Sequence, residues 1–131
     1  ASKFVSVMEQ ADFLIPQFVP AGFNNTFWTV AARYERTDVS WQAFRHKFID
    51  FGGDGIYAAW SLLYHETLMA SDEWKKRCPP LYNDINFPEF GLCPVAEITQ
   101  PKIMQFVNNY GSVEEALPQI EALDKTIGYF Q

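Results

Sequence analysis

The tetrapeptide Gly52-Gly53-Asp54-Gly55 constrains this chain more than any other feature. Three glycines in four residues stop a helix and supply the positive-φ backbone that a tight turn needs. Upstream, Trp41, Phe44 and Phe48 make the apolar stripe of a helix over about residues 40–50, with Gln42, Arg45 and Lys47 mostly outside. Asp38 or Ser40 can cap it. Downstream, Ile56-Tyr57-Ala58-Ala59-Trp60 emerges as a short strand or extended loop. The chain therefore passes from helix to strand through a turn with no slack.

The same alternation runs through the rest of the chain. Phe4, Val7, Met8 and Ala11 recur at helical spacing, so residues 2–13 read as a helix or the end of one. Pro16 and Pro20 mark an extended connection. Residues 26–34, TFWTVAARY, are β-rich and nearly continuous in apolar content, which predicts burial on both faces for part of the strand. Residues 61–70 allow a helical turn or two. Ser71 to Arg77 places acid first and base last, the order that suits a helix dipole. Residues 81–93 read as loop. Pro94 opens a helix at its first position, and Pro101 limits it. Ile103 to Val107 reads as a strand. Ser112-Val113-Glu114-Glu115 matches a capping box, and a helical stripe then continues to the C-terminus, with Pro118 splitting its start into two short pieces. The predicted class is α+β: a small antiparallel sheet with helices packed on one face.

A chain of 131 residues is one ordinary domain, and its twelve Phe, six Tyr and four Trp give it a core at that size. Ten basic against sixteen acidic residues leave a formal charge of −6. An acidic domain without a basic tract argues against nucleic acid and anionic membranes as partners. No stretch approaches the ~18 apolar residues of a membrane span, and no signal peptide is visible, so the expected compartment is the cytoplasm. Cys78 and Cys93 each precede Pro, and free thiols are expected rather than one disulfide. The sequon Asn24-Asn25-Thr26 reads as chance in that compartment. There is no initiator Met, so either it was trimmed before Ala1 or the chain was cut from a longer one.

Few residues point to chemistry. His46 lies on the polar side of its helix and reads as solvated. His65-Glu66 is half of a zinc-protease helix, but position 69 is Met where the second ligand would stand. Two Cys and two His lack any zinc-site spacing. No nucleophile elbow or phosphate loop is present. Tyr57 and Trp60, separated by two alanines and followed by Tyr64, admit two readings: core packing, or a wall for a flat ligand or sugar. Trp28, Trp41 and Trp74 read more plainly as core or interface. None of the six lysines, Lys3, Lys47, Lys75, Lys76, Lys102 and Lys125, sits in an apolar setting that would lower its pKa for a Schiff base.

Four segments, in order, resemble the C-terminal small domain of the DegT/DnrJ/EryC1/StrS sugar aminotransferases. They are Leu14-Ile15-Pro16-Gln17-Phe18-Val19-Pro20 with Phe27-Trp28-Thr29; Trp41-Gln42-Ala43-Phe44 to Gly52-Gly53-Asp54-Gly55-Ile56-Tyr57-Ala58-Ala59-Trp60; Cys93-Pro94-Val95-Ala96-Glu97 with Gln100-Pro101-Lys102 and Gln105-Phe106; and the terminal helix through Leu123-Asp124-Lys125-Thr126-Ile127. The second is similar to the perosamine-synthase-like branch. The resemblance covers nearly the whole chain.

It implies a pyridoxal-phosphate-dependent parent, commonly a homodimer. Such enzymes move an amino group from glutamate to a keto-deoxysugar carried on a nucleotide, in polysaccharide or deoxysugar biosynthesis. The large domain, with the Schiff-base lysine and the groups that hold the cofactor, is missing here. This chain would then bind no cofactor and transfer no amino group alone. Residues 1–13 become the end of an interdomain helix and 14–131 the small domain, with an exposed face that docked on the large one. Tyr57, Trp60 and Trp28 are the expected substrate-cleft residues. Many relatives carry a His near the position of Tyr57, and Tyr57 keeps only its hydrogen-bonding tip. Two alternatives stand beside this reading: a stand-alone, non-enzymatic binding or scaffold module, and a small enzyme using Asp54, His65 and Glu66.

Overall fold

A computed structural model describes residues 1–77 and 90–131. The chain divides into two compact units, Ala1–Ala58 with Lys102–Gln131, and Ala59–Pro101.

The first unit is an α+β layer pair. Its helices are α1 (Ser2–Met8), α2 (Trp41–Asp50) and α6 (Val113–Phe130), and its strands are β1 (Leu14–Pro16), β2 (Val30–Tyr34), β3 (Ile56–Ala58) and β4 (Ile103–Phe106). The strands form one antiparallel sheet in the order β1-β2-β4-β3. Val30 pairs with Phe106, which pairs with Ile56; Tyr34 pairs with Leu14. Side chains alternate faces along a strand, so this register puts Leu14, Val30, Ala32, Tyr34, Ile56, Met104 and Phe106 on a single face. All seven are buried, against Phe4, Met8, Phe44, Phe48, Leu123 and Ile127 from the three helices. Phe44 sits at the centre, with the rings of Phe13, Tyr34 and Phe130 all within 6.0 Å centroid to centroid. The opposite face carries Ile15, Ala31, Arg33, Ile103, Gln105 and Tyr57, half-buried or exposed.

Several sequence expectations change. The first helix ends at Met8, because Phe13 and Leu14 turn into the core and Leu14–Pro16 joins the sheet as an edge strand. An edge is where a strand tolerates proline. The strand expected from residue 26 begins only at Val30, since Phe27 has φ +50° and breaks the extended run. That strand is buried on one face, not two: Val30, Ala32 and Tyr34 are inside, while Ala31 and Arg33 are half-exposed. Pro118 does not divide the last helix, which is continuous. Its missing N–H orphans only the Glu114 carbonyl, on an exposed residue at the helix start where water can reach it.

Other local signals hold. Ser40 caps α2 through the Ala43 N–H at 3.2 Å, while Asp38 instead takes two bonds from Arg36. Ser112 caps α6 by accepting from the Glu115 N–H. The Glu115 carboxylate reaches back to the Gly111 N–H, one residue further than the usual box.

The second unit contains a 3₁₀ turn (Leu63–His65), α3 (Thr67–Ala70), α4 (Asp72–Arg77) and α5 (Pro94–Thr99), which runs on into a 3₁₀ turn at Gln100. Much of the loop expected over residues 81–93 lies outside the described residues, as does Cys78. Cys93 is an exposed free thiol.

Candidate functional site

The glycine turn is held from inside. Gln119 on α6 is only 8% exposed, and with Thr126 it is one of two buried polar side chains on that helix. Its Oε1 accepts from the Asp54 N–H at 2.6 Å. Its Nε2 donates to Asp54 Oδ1 at 3.0 Å and to the Gly52 carbonyl at 3.4 Å. The other carboxylate oxygen of Asp54 accepts from the Tyr110 hydroxyl at 2.8 Å. Burial, then the Asp54 carboxylate, push the Tyr110 phenol well above its ordinary pKa and keep it a donor. Gly52 and Gly55 have positive φ, as a helix stop and a tight turn require. Gly53 is needed for space: a Cβ there would stand 2.3 Å from the Phe48 ring.

From this turn β3 starts, and with it Tyr57. Its side chain is 57% exposed, and its hydroxyl lies 4.0 Å from where a Cβ on Gly55 would be. Tyr57 is therefore not a core residue.

Trp28 reaches the same end of the sheet by another route. Strands β2 and β3 both run antiparallel to β4, so their starts and the end of β4 lie together. Trp28 stands two residues before β2, Asp54 two before β3, and Asn108 two after β4. Phe27 holds its positive φ through two asparagines: its N–H donates to Asn25 Oδ1 at 2.8 Å, and its carbonyl accepts from Asn108 Nδ2 at 3.0 Å. A bulky residue in that conformation costs on the order of 1–3 kcal/mol. The result sends Phe27 against the core and leaves Trp28 68% exposed. The structure thus brings Trp28 and Tyr57 to one sheet end and adds Asp54, Tyr110 and Gln119.

Trp60, the third expected cleft residue, belongs to the second unit and is 76% exposed. Gln100 Nε2 donates to the carbonyls of Ala59 and Trp60, at 3.2 and 3.1 Å. His65 and Glu66 also belong to the second unit, whereas Asp54 belongs to the first. Among the described acids of the second unit, Glu97, which sequence left as a motif letter, is held by three donor groups. Its carboxylate accepts from the Tyr64 hydroxyl at 2.6 Å, the Gly91 N–H at 2.8 Å and the Cys93 N–H at 3.0 Å. The Tyr64 bond and then the backbone donors hold its pKa down at about 2. Desolvation and the Glu97 carboxylate push Tyr64 up to about 12. Glu97 is therefore a fixed anion that ties two segments together.

At the other end of the sheet, a cavity of about 700 Å³ is lined by Asp12, Phe13, Glu35, Arg36, Asp38 and Gln131 among others. Arg36 is committed within it, to Asp38 at 2.7 and 2.9 Å and to the Phe130 carbonyl. That leaves no guanidinium aimed at an anionic ligand.

The residues described do not make a seat for pyridoxal phosphate. A Schiff-base lysine must be desolvated and neutral to react. Lys102 is paired with Glu35 at 2.7 Å, and Lys47 with Asp50 at 3.2 Å. Lys3, Lys76 and Lys125 are exposed. No group of His, Cys, Asp and Glu among the described residues could hold a metal ion. No helix among them is long and apolar enough to cross a membrane. No protein-family model, curated protein or solved structure matches the chain.

Proposed function

We propose that this chain is the C-terminal small domain of a pyridoxal-phosphate-dependent nucleotide-sugar aminotransferase, and that it lines the sugar side of the active site. One observation supports this most. The sheet has one face sealed by three helices and one face left half-exposed, with Tyr57 on the open face and Trp28 presented at its end. That is the arrangement a small domain needs if its open side meets a cofactor domain. The four ordered sequence segments supply the family, and the −6 charge suits a part that leaves phosphate binding to the other domain. When bound, the cofactor supplies the electron sink for amino transfer. This chain supplies none of that chemistry. Its part is to shape and orient, with homodimerisation and nucleotide-sugar binding belonging to the parent.

The test is to extend the chain upstream in its own reading frame, reconstitute both versions with pyridoxal phosphate, and measure bound cofactor. The extended protein is expected to hold the cofactor stoichiometrically, with a visible band that glutamate discharges. The 131-residue chain is expected to hold none. Stoichiometric cofactor on the short chain, or none on the extended one, overturns the proposal.

A further inference from the structure

We propose that Asp54, Tyr110 and Tyr57 form a preorganised hydroxyl-recognition corner that contacts the pyranose ring of the substrate and not its phosphates. The inference rests on the aminotransferase reading for the identity of the ligand, and on the geometry for the site.

A turn needs only its backbone groups satisfied, and Gln119 does that through the Asp54 N–H and the Gly52 carbonyl. The Asp54 side chain goes beyond this. Its carboxylate is fixed by two donors, one on each oxygen, from two different elements. Yet Asp54 is exposed, and no cation pairs with it among the described residues. A carboxylate has about four acceptor positions, so two remain after these bonds. The Tyr57 hydroxyl lies 4.0 Å from where a Cβ on the next residue, Gly55, would be, and the Tyr57 ring is exposed. Gln105 is directly opposite Tyr57 on β4, and the small Ala31 is opposite Gln105 on β2. The row Tyr57–Gln105–Ala31 is a shallow bed with an amide at its centre.

A sugar ring offers these groups what they lack. Its hydroxyls donate to carboxylate and phenol oxygens, and its C–H face lies on an aromatic ring. An uncompensated carboxylate repels a diphosphate, so the same corner sorts the two halves of a nucleotide sugar. Because the bonds to Gln119 and Tyr110 exist before the ligand arrives, little ordering remains to be done on binding.

The probes are thymidine diphosphate glucose, thymidine diphosphate and free glucose, each titrated into the ¹⁵N-labelled chain up to roughly 50 mM, above the millimolar affinity a few hydrogen bonds give. Both glucose-bearing probes are expected to shift the amides of Gly53 to Tyr57, Gln105 and Tyr110, and thymidine diphosphate is not. Asp54→Asn is expected to weaken glucose binding about tenfold, the worth of one charge-assisted bond. Should that variant misfold, Tyr57→Ala, on the open face, carries the same expectation. No shift with either glucose probe, equal shifts with thymidine diphosphate, or undiminished binding by a folded variant overturns the proposal. Cofactor loading of the upstream-extended protein without sugar shifts removes this inference alone. Sugar shifts without cofactor loading remove the aminotransferase reading alone.

Discussion

The described residues of the two units are held by different contacts. Among the described residues, the sixteen buried hydrophobic side chains all belong to the first unit, so burial holds its sheet and three helices together. In the second unit no residue whose burial is described is buried. Trp60, Leu63, Leu68, Phe90, Leu92, Val95 and Ile98 are all exposed there. Among the described residues there the ties are the Glu97 carboxylate gripping Tyr64, Gly91 and Cys93, Gln100 gripping the Ala59 and Trp60 carbonyls, and the His65 ring against Tyr64 and Phe90. A net hydrogen bond in water contributes about 1 kcal/mol, so a region held this way opens far more readily than one held by a core. The comparison teaches where stability resides and where adaptability does.

The largest expected effect lies in the core. Phe44→Ala removes a fully buried ring that touches three others, and is expected to cost about 3–5 kcal/mol. Urea unfolding followed by circular dichroism reads it. A loss below about 1 kcal/mol would mean that the first unit is not held by this core.

Next comes the turn. Gly53→Ala places a Cβ 2.3 Å from the Phe48 ring, which is itself buried and cannot swing away. Overpacking of this kind costs about 1–3 kcal/mol. The same substitution at Gly128, where a Cβ meets nothing, is expected to be neutral or stabilising, since Ala is the better helix former. Thermal melts of the two variants should move in opposite directions, or the first alone should fall.

These cases also show what the sequence made legible. Periodicity found α2 and α6, because each buries a stripe along one face, and the glycine turn marked where β3 starts. The capping serines were readable because their chemistry is local. The edge strand at Leu14–Pro16 was hidden, since only pairing with β2 makes it a strand and Pro16 argues for a connection. Phe27 was hidden for a similar reason: its positive φ is imposed by Asn25 and by Asn108, the latter 81 residues away. Of the site, the residues alone leave Tyr57 open between core and ligand wall and read Trp28 as core or interface; only the resemblance puts both in a cleft. Gln119 could not be named. A glutamine inside an apolar helical stripe is a weak sign of a buried polar partner, and its partner is the turn 65 residues earlier.

A smaller effect tests the described part of the second unit directly. Ile98→Ser changes a side chain that is mostly solvent-exposed, so global unfolding is expected to move by no more than about 0.5 kcal/mol. A loss several times larger would show that Ile98 is covered in solution, and would erase the contrast between the units.

The smallest effect on global unfolding, and the sharpest local one, concerns Glu97. Its folded pKa is about 2 against an ordinary 4.5, so the unfolded segment binds more protons throughout that interval. The clasp therefore contributes its full stability above pH 4.5 and loses it as pH falls toward 2. Tyr64 sets the opposite limit: its contribution is complete below its ordinary value of 10 and fades as pH rises through about 12. Hydrogen exchange at the Gly91 and Cys93 amides, corrected for intrinsic rates, is expected to lose protection across the acid window while the α6 amides keep theirs. Glu97→Gln should lower that protection at neutral pH and make it insensitive to acid, because the amide cannot titrate. Tyr64→Phe removes one of the donors and should shift the acid midpoint upward. A midpoint at 4.5 in the unaltered chain would mean that the carboxylate is free in solution and that the clasp does not form.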